Sequence, residues 1–574
     1  MRLVRNLMLG SAAALALGAG AAEARRGQDG QLNILYWQAV SILNPFLSGG
    51  TKDVEGASLV LEPLARYDQD GNMVPWLAED IPTVENGGVS ADLKTITWKL
   101  KPGLKWSDGS DVTADDVVFT WAYCTAEGGG CQQATAFENV ANVEALDALT
   151  VRVTFDIAKP FPYGPFVGAT SPIIQKAQFK DCLGPAAPQC TQANFYPIGT
   201  GPFVVKDFKA NDVVVYEANP HYRDPDKPAF QTVVLKGGGD AAAAARSVME
   251  TGEFDYAWNM QVQPEILAAM EAKGIGKVVS AFGTSVERLM VNFTNPDPAL
   301  GEKRSTREGG PHPFLTDRRV TRALSLAIDR QVLVDVGYGP AGQVTCNVLP
   351  APAIYNSTNN DWCKKGGTPE AVAEAKRLLE EAGFKPGPDG VRVRESDGRR
   401  LSILYQTSTN AVRQETQALI KQMWAEIGVE TELRNISASV FFGGDPSSPD
   451  TFQKFYADIE MYTNNFDGTD PQNYMGNWLC KEAPSPENNW LGNNMPRYCD
   501  PEYDALFLKL SQTAGLEARA EIAKKLNDML IEAGAIIPLI HRGRVSAKKN
   551  DLGGHIMNPW DSELWNIADW YRIK

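Results

Sequence analysis

Two carboxylic acids lie close together in the stretch FDGTDP at 466–471, where Asp467 and Asp470 are separated by only two residues. The preceding segment ADIEMYTNN alternates in the manner of a β-strand, so both acids follow the end of a predicted strand. Carboxylates there would serve as catalytic groups, as ligands of a cation, as acceptors for a ligand's ammonium group, or as turn acids. Because Asp and Gly are common turn residues, the turn is the default interpretation until the rest of the chain is considered.

Short motifs of common catalytic sites are missing from the sequence. No GxSxG, HExxH or GxxxxGK[ST] stretch is present, and the Gly-rich KGGGD at 236–240 is explained by a strand-to-helix turn. We therefore predict a protein that is not an enzyme and that uses no cofactor. An exported hydrolase with two catalytic carboxylates is the alternative from another class, because such acids can lie far apart in a sequence.

Length and charge narrow the class of protein further. The chain has 574 residues, too many for one ordinary hydrophobic core, so two or three lobes are expected. Its formal net charge of −15 argues against nucleic acid or an anionic membrane surface as the main partner, since both require a positive protein surface.

The first 24 residues have the three regions of a secretory signal peptide. Arg2 and Arg5 precede the short apolar run LMLGSAAALALGAGA, and AEA at 22–24 fits an A-x-A cleavage site. The first cysteine is Cys124, so a lipoprotein anchor at the cleavage site is excluded. No later segment has the apolar run of about 20 residues that spans a bilayer. We expect an exported, soluble mature chain that begins at or near Arg25.

Eight cysteines occur as four pairs of near neighbours in sequence. None forms a CxxC pair and the four histidines are widely scattered, so no metal site is expected. An oxidising compartment favours disulfides, and the short, loop-like spacings favour pairing between neighbours. The predicted pairs are Cys124–Cys131, Cys182–Cys190, Cys346–Cys363 and Cys480–Cys499.

The hydrophobic pattern changes near residue 290. Before about residue 280 the chain is rich in strand-like segments, such as TITWKL at 95–100. After 290, DRRVTRALSLAIDRQVLV at 317–334 is predicted as one helix that begins at Asp317. LSILYQT at 401–407, the helix after it and the strand VETELRNI have the spacing of a βαβ unit, which predicts a parallel sheet. This change predicts two lobes.

Several stretches together resemble one family. They are LVLEPLARYDQDGNMVPWLAEDI at 59–81, TWKLKPGLKWSDGSDVTADDVVF at 97–119, IGTGPF at 198–203, EANPHYRDPDKPAF at 217–230, and VNFTNP at 291–296 with RRVTRALSLAIDR after it. In this order they resemble the large periplasmic solute-binding proteins of ABC transporters, in the dipeptide- and oligopeptide-binding group (extracellular solute-binding protein family 5, cluster C). The resemblance runs through nearly the whole mature chain.

The resemblance implies an α/β, two-lobed, periplasmic-binding-protein-like (type II) fold with an extra subdomain inserted in lobe I. Lobe I would comprise residues 25–285, with the inserted subdomain at about 66–190, and lobe II would comprise 286–539. Residues 540–574 would return to lobe I. The lobes would close on a ligand like a flytrap and present the closed form to a membrane permease. A periplasmic monomer is expected.

The resemblance also gives the two opening acids a role. In this family a strand of lobe II ends in a pattern similar to W-x-x-D-Y-x-D-P, whose first Asp binds the ligand's ammonium group, and FDGTDP places Asp467 there. A buried ammonium group needs a charged acceptor to offset its desolvation. The sequence departs from the pattern at Gly468, where the family has an aromatic residue. Asp470 is then expected to be a turn acid.

Other residues of the implied site come from both sides of the cleft. Arg413 would bind a ligand carboxylate through two parallel hydrogen bonds, or else it is an exposed arginine at a helix N-terminus. Gly50 and Thr51 match a contact loop of the family. An extended ligand would bind in the manner of an added strand. The residues expected to contact it in this way are Tyr462, Thr463, Asn464 and Asn465.

We therefore predict an extracytoplasmic receptor that captures a short peptide or a related amine-bearing solute and delivers it to an ABC-transporter permease. The same fold binding an oligosaccharide, haem or a metal chelate is the nearest alternative. The 13 Trp residues leave stacking on a sugar open. The exported hydrolase is the alternative from another class.

Overall fold

A computed structural model describes residues 26–574 of the chain. The predicted signal peptide at 1–24 and the predicted cleavage near Arg25 lie outside these residues. Among the helices of the described part, none is long and apolar enough to cross a membrane.

Strands occur along the whole described chain, mainly in its first half and at its end. They are β1 (Gln31–Tyr36), β2 (Ala65–Tyr67), β3 (Met73–Pro75), β4 (Thr95–Lys99), β5 (Val140–Ala145), β6 (Thr150–Phe155), β7 (Phe203–Lys209), β8 (Val213–Ala218), β9 (Thr232–Gly237), β10 (Tyr256–Ala257), β11 (Gly276–Val291), β12 (Gly342–Val344), β13 (Phe384–Pro386), β14 (Arg392–Arg394), β15 (Ser402–Ser408), β16 (Glu430–Ile436), β17 (Ile459–Asn464), β18 (Ile536–Lys549), β19 (Leu552–Gly553) and β20 (Tyr571–Arg572).

Helices are short in the first half and longer in the second. They are α1 (Thr51–Ala57), α2 (Ala114–Thr125), α3 (Lys176–Phe179), α4 (Thr191–Phe195), α5 (Ala241–Met249), α6 (Pro264–Glu271), α7 (Arg318–Leu326), α8 (Arg330–Gly337), α9 (Pro369–Glu381), α10 (Ala411–Glu426), α11 (Ala438–Phe441), α12 (Gln472–Gly476), α13 (Pro501–Ser511) and α14 (Leu516–Ala533).

The largest sheet runs through both lobes in the order β16-β15-β17-β11-β18-β10-β1-β9-β8-β7, with β12 also paired to β18. Its two longest strands, β11 and β18, are antiparallel partners along most of their length. The first half of β11 pairs with the second half of β18 on the lobe I side, and their other halves pair on the lobe II side. Between these halves the register shifts, between Phe282 and Val286. The chain therefore crosses between the lobes on two hydrogen-bonded strands.

In lobe I, β1 lies parallel to β9 and β10, and its alternating residues Leu32, Ile34 and Tyr36 are buried. The residues around the predicted insertion at about 66–190 form a separate core around Trp98 and Trp106, under the small sheet β4-β6-β5 and α2. Each of these two regions has a hydrophobic core of its own because its strands and helices bury one face against one another. The predicted domain boundaries stay predictions.

In lobe II the predicted βαβ unit is confirmed, because β15 pairs in parallel with β16 and α10 connects them. The single helix predicted at 317–334 is wrong, because the structure has two helices there, α7 and α8. Asp317 begins the first as predicted, and the side chain of Asp329 accepts hydrogen bonds from the backbone of Gln331 and Val332. Asp329 thus caps a new helix, and an Asp that bonds the backbone locally in this way interrupts a helix.

All four predicted cysteine pairs are disulfide-bonded, and no free cysteine occurs in the described residues. The Cα–Cα distances are 5.3 Å for Cys124–Cys131, 5.8 Å for Cys182–Cys190, 5.8 Å for Cys346–Cys363 and 4.5 Å for Cys480–Cys499. Each bond closes a loop of fewer than 20 residues, so the bonds stabilise loops within each lobe.

The C-terminal segment contacts the predicted inserted subdomain through Asp561, which accepts hydrogen bonds from three of its residues. Its carboxylate accepts hydrogen bonds from the Arg66 guanidinium at 3.0 Å, from the Tyr67 amide at 3.1 Å and from the Ala169 amide at 3.2 Å. Both members of the Arg66–Asp561 ion pair are buried. The C-terminus and the predicted insertion are thereby joined by one buried carboxylate.

Replacing Asp561 with Ala should lower the free energy of unfolding by about 3–5 kcal/mol, because Arg66 would be left buried without its counter-charge. Urea unfolding followed by tryptophan fluorescence measures the change. Asp389→Ala is the matched control, since Asp389 pairs with Arg400 at 2.8 Å on the surface and should cost at most about 1 kcal/mol. Equal costs for the two variants would contradict this assignment.

Candidate functional site

A cavity between the lobes consists of two adjoining chambers. The first chamber has a volume of about 80 Å³ and the second of about 140 Å³. Lobe I and lobe II both contribute to each wall, as expected for a ligand held between lobes. The two chambers share lining residues, which are Gly49, Thr51, Glu55, Asn464, Asn465, Asn493 and Arg544.

Most of the residues predicted from the sequence line this cavity. Thr51 lines both chambers and Asp467 lines the second chamber. Gly50 does not line either one, and a Cβ atom there would lie 2.8 Å from the carbonyl oxygen of Phe442 in lobe II. Gly50 therefore allows the lobes to approach each other rather than contacting the cavity. The remaining predicted residues line the first chamber, and they are Arg413, Tyr462, Thr463, Asn464 and Asn465.

Strand β17 has one edge without a paired strand after Met461, among the described residues. Strand β17 pairs with β11 along residues 459–464, but its pairing with β15 ends at Met461. Residues 462–464 therefore have no strand partner on the β15 side among the described residues. The expectation that they bind an extended ligand by strand addition stays a prediction, and this open edge is the geometry that it requires.

Asp467 is a partly buried carboxylate with few partners. Its Oδ2 accepts hydrogen bonds from the Thr170 hydroxyl at 3.0 Å and from the Thr170 amide at 3.4 Å. It forms no ion pair within residues 26–574. Burial, and then the nearby carboxylate of Asp561, raise the pKa of Asp467 to about 6, although the charge of Arg544 opposes the shift. A positively charged ligand group would supply the missing counter-charge.

Gly468 departs from the family pattern because an aromatic ring from lobe I occupies the space beside it. Its φ angle is +72°, and a Cβ atom at this position would overlap the ring of Tyr67. The Gly468 amide also donates to the Trp560 carbonyl at 2.7 Å. Tyr67 lines the second chamber, so it supplies the aromatic wall that the sequence of lobe II lacks. Sequence reasoning missed Tyr67 because it lies 401 positions before Gly468.

Asp470 is a turn acid, as predicted, and it is also an ion-pair partner. Its carboxylate accepts from the Gln472 amide at 2.9 Å and from the Arg519 guanidinium at 2.7 and 2.9 Å. The charge of Asp470 is therefore already compensated. Of the two opening acids, only Asp467 keeps an unpaired charge.

Arg413 is not the exposed arginine that one interpretation of the sequence expected, because its side chain is buried. Its guanidinium binds both carboxylate oxygens of Glu287, at 2.8 and 3.2 Å, and also donates to Thr463 at 3.3 Å. The paired geometry expected for a ligand carboxylate is thus occupied by a protein carboxylate. The ligand-binding role of Arg413 stays a prediction, and Glu287 was not visible from sequence because it lies 126 positions away.

Two arginines that were not predicted also line the cavity, Arg542 and Arg544 of β18. Arg544 donates to backbone carbonyls, including that of Asn558 at 3.0 Å. Arg542 donates to the side-chain oxygen of Asn259 at 3.0 Å. Neither forms an ion pair within the described part of the chain. The sequence did contain a signal for this pair, because arginines two positions apart in the strand HRGRVSA must lie on the same face of that strand.

Glu55 lies in the wall that both chambers share. Its carboxylate accepts from the Ser562 hydroxyl at 2.5 Å and from the Glu563 amide at 3.0 Å. Burial and then the charge of Glu563 raise the pKa of Glu55 to about 7, against the effect of Arg544. The lobe I wall of the cavity therefore carries a carboxyl group that titrates near neutrality.

Features of metal and dinucleotide sites are not found in the described residues. No group of three or more His, Cys, Asp and Glu side chains there is placed to hold a metal ion. The stretch GYGPAG at 337–342 has GxGxxG spacing, but it follows α8 and leads into β12. A dinucleotide-binding loop instead follows a strand and opens a helix.

Comparison with protein families gives one extended match. The model of the bacterial extracellular solute-binding proteins, family 5 Middle, matches residues 72–485. Protein XP55 of Streptomyces lividans is 30% identical over 69% of this chain, and the match spans 65% of that protein's length. The dipeptide-binding protein of Pseudomonas aeruginosa is 24% identical over 90% of this chain and 91% of its own length.

Solved structures share the fold over nearly the full length. The oligopeptide-binding protein AppA from Bacillus subtilis, in complex with a nonapeptide, has a TM-score of 0.79 at 21% identity and covers 96% of this chain and 100% of its own. A dipeptide-binding protein from Pseudoalteromonas sp. SM9913, in complex with Met-Leu, has a TM-score of 0.74 at 17% identity and covers 94% and 100%. These matches confirm the two-lobed α/β fold.

Replacing Gly468 with Tyr should hold the lobes apart, because the new ring and Tyr67 would occupy the same space. We expect a larger radius of gyration by small-angle X-ray scattering and an unchanged circular dichroism spectrum. The double variant Gly468→Tyr with Tyr67→Ala makes room for the ring and should recover most of the compact form. An unchanged radius in the single variant would show that the lobes do not meet at this point in solution.

Proposed function

The chain belongs to the bacterial extracellular solute-binding proteins of family 5, and we propose that it captures a short peptide or a related amine-bearing solute between its lobes. We further propose that it delivers this ligand, as a periplasmic monomer, to the permease of an ABC transporter. Binding would accompany closure of the lobes about the crossing strands β11 and β18.

One observation carries the proposal, the unpaired charge of Asp467 at the cavity wall. Its carboxylate has a single hydrogen-bonding partner residue, Thr170, and the raised pKa reflects the cost of holding a charge there. A ligand ammonium group would remove this cost and gain a charge-assisted hydrogen bond. Nearby Asp470 does not compete for the ligand because Arg519 already pairs with it.

Cavity size supports a short ligand. The chambers of about 80 and 140 Å³ are smaller than the roughly 300–1,000 Å³ of sites that hold drug-sized ligands. Ligands of one to three residues fit this space better than longer peptides. The nonapeptide and the Met-Leu ligand belong to the solved relatives and set no length for this chain.

The other ligand classes have less support from the cavity. Trp258 lines the first chamber, but its ring stacks on Tyr36 at 4.8 Å and so is already engaged on one face. No histidine is among the described residues that line either chamber, so haem would lack its most common axial ligand there. The exported hydrolase is disfavoured by membership of a solute-binding family, and a panel of chromogenic peptides and glycosides tests for turnover.

Replacing Asp467 with Asn should weaken binding of an amine-bearing ligand by about 3–5 kcal/mol, because the ammonium group would be buried without a counter-charge. Native mass spectrometry of protein purified without denaturation identifies the ligand, and calorimetry measures its affinity. Asp397→Asn, an exposed substitution in lobe II, is the control and should bind like the original protein. Unchanged affinity in Asp467→Asn would return Asp467 to the role of a turn residue.

Binding of an amine-bearing ligand should weaken as the pH falls below about 6, because the ligand binds the ionised form of Asp467, whose pKa is about 6. Well below this pKa the affinity should fall about tenfold per pH unit, as expected for one proton. Calorimetry between pH 5 and 8 would follow the change. Asp467→Asn should abolish this step, whereas Glu55→Gln should remove only a contribution near pH 7. A flat profile in the original protein would contradict the assignment.

A further inference from the structure

Arg542 is a buried cation with an incomplete set of partners. Its side chain is 8% exposed and lines the first chamber. One guanidinium nitrogen donates to the Asn259 side-chain oxygen at 3.0 Å, and Nε has no hydrogen-bond partner in the part of the chain that the structure describes. A guanidinium group carries five N–H donors, so most of the donor capacity of Arg542 is unused.

Two other cations of the first chamber, Lys52 and Arg413, have protein counter-ions, whereas Arg542 has none among the described residues. Lys52 pairs with Asp53 at 2.8 Å, and Arg413 takes both oxygens of Glu287. Arg542 forms no ion pair among residues 26–574.

Two further carboxylates line this chamber, and both are bound elsewhere. Glu55 accepts from Ser562 and from the backbone, while Glu563 accepts from the hydroxyls of Tyr256 and Ser546 at 2.7 and 2.6 Å. An arginine buried without a counter-ion is costly, and a carboxylate from the ligand would compensate it.

We propose that Arg542 binds a carboxylate of the ligand in the first chamber and thereby restricts the protein to solutes that carry both an amine and an anionic group. This inference rests on the proposed function, in which Asp467 binds the amine in the second chamber. The ligand would then be a zwitterion that lies across both chambers. Arg542, rather than the already paired Arg413, is the residue that determines this specificity.

The sheet register is compatible with such a ligand. Asn464 of β17 lies opposite Val286 of β11, which lies opposite His541 of β18. Two strand spacings therefore separate Asn464 from His541, or about 10 Å. Arg542 follows His541 directly, and Asp467 lies three residues after Asn464. An extended dipeptide or tripeptide spans about 7–10 Å, which is similar to the separation of the backbones of Asn464 and His541.

Its position in β18 also couples Arg542 to the crossing between the lobes. The next residue, Gly543, pairs with Phe282, where the register of β11 and β18 shifts. A ligand carboxylate bound to Arg542 would thus attach to the strand about which the lobes move, while its amine binds Asp467 at the end of β17.

The test compares dipeptides that differ only at the carboxyl end. Calorimetry would measure the affinity of the Ala-X dipeptides, with X each common amino acid, and then of the best binder as its free acid and as its C-terminal amide. In the original protein the amide should bind about 10- to 100-fold more weakly, the effect of losing a hydrogen bond between charged groups. In Arg542→Gln the acid should weaken to the level of the amide, and Arg542→Lys should lie in between.

Arg304→Gln is the matched control, because Arg304 is partly buried, donates to the Pro296 and Tyr456 carbonyls, and lines neither chamber. It should keep the preference for the acid. Equal binding of acid and amide by the original protein would overturn the inference but leave the proposed function standing. This comparison uses the original protein only, so it does not depend on whether a variant folds. A folded Arg542→Gln variant that still binds the acid more tightly than the amide would also overturn the inference. Failure of the original protein to bind any amine-bearing solute, including these dipeptides and the ligand identified by native mass spectrometry, would overturn the proposed function, and the inference with it.

Discussion

The pairing of β11 with β18 is the constraint on which the rest of the structure depends. These strands carry the chain between the lobes, and their hydrogen bonds hold the two crossings side by side. Arg542 and Arg544 of β18 line the cavity, and Glu287 of β11 pairs with Arg413 in the cavity wall. These charged groups therefore lie at the boundary between the lobes, because the strands that carry them join the lobes.

Charge compensation explains how the cavity wall is built. Protein groups of the first chamber pair with one another, as Glu287 does with Arg413 and Asp53 does with Lys52. Among the described residues of the cavity wall, Asp467 at the end of β17 and the two arginines of β18 have no ion pair, and the carboxylates of Glu55 and Glu563 are held by hydroxyl and amide donors instead. Buried charges are stable only when they are compensated, so an interlobe site of this kind favours a ligand with complementary charges at its two ends.

Contacts at the rim of the cavity join loops that disulfides hold in shape. The loop closed by Cys480–Cys499 contains Asn489, whose side chain donates to the Gly129 carbonyl at 3.0 Å in the loop closed by Cys124–Cys131. Nearby, the Asn493 side chain donates to the Gln132 carbonyl at 2.7 Å. Loops constrained in this way lose less conformational freedom when the lobes meet, which lowers the cost of closure.

The sequence alone determined what depends on local pattern. Alternation of apolar residues predicted the βαβ unit of lobe II, the spacing of cysteines predicted the four disulfides, and shared motifs predicted the family and the two-lobed fold. The ligand-binding role of Asp467 was predicted in the same way, from a short pattern of the family, and the structure places this residue in the cavity wall. The break between α7 and α8 was missed because Asp329 competes for the backbone within an otherwise helical pattern.

Only the tertiary structure decided which charges are compensated and which space is filled. Glu287 neutralises Arg413 from 126 positions away, and Tyr67 fills the space beside Gly468 from 401 positions away. Arg542 and Arg544 became candidate ligand-binding residues only from the structure, which shows that they line the cavity and form no ion pair among the described residues. Pairing and packing of this kind depend on distances between distant parts of the chain, which spacing along the sequence does not encode.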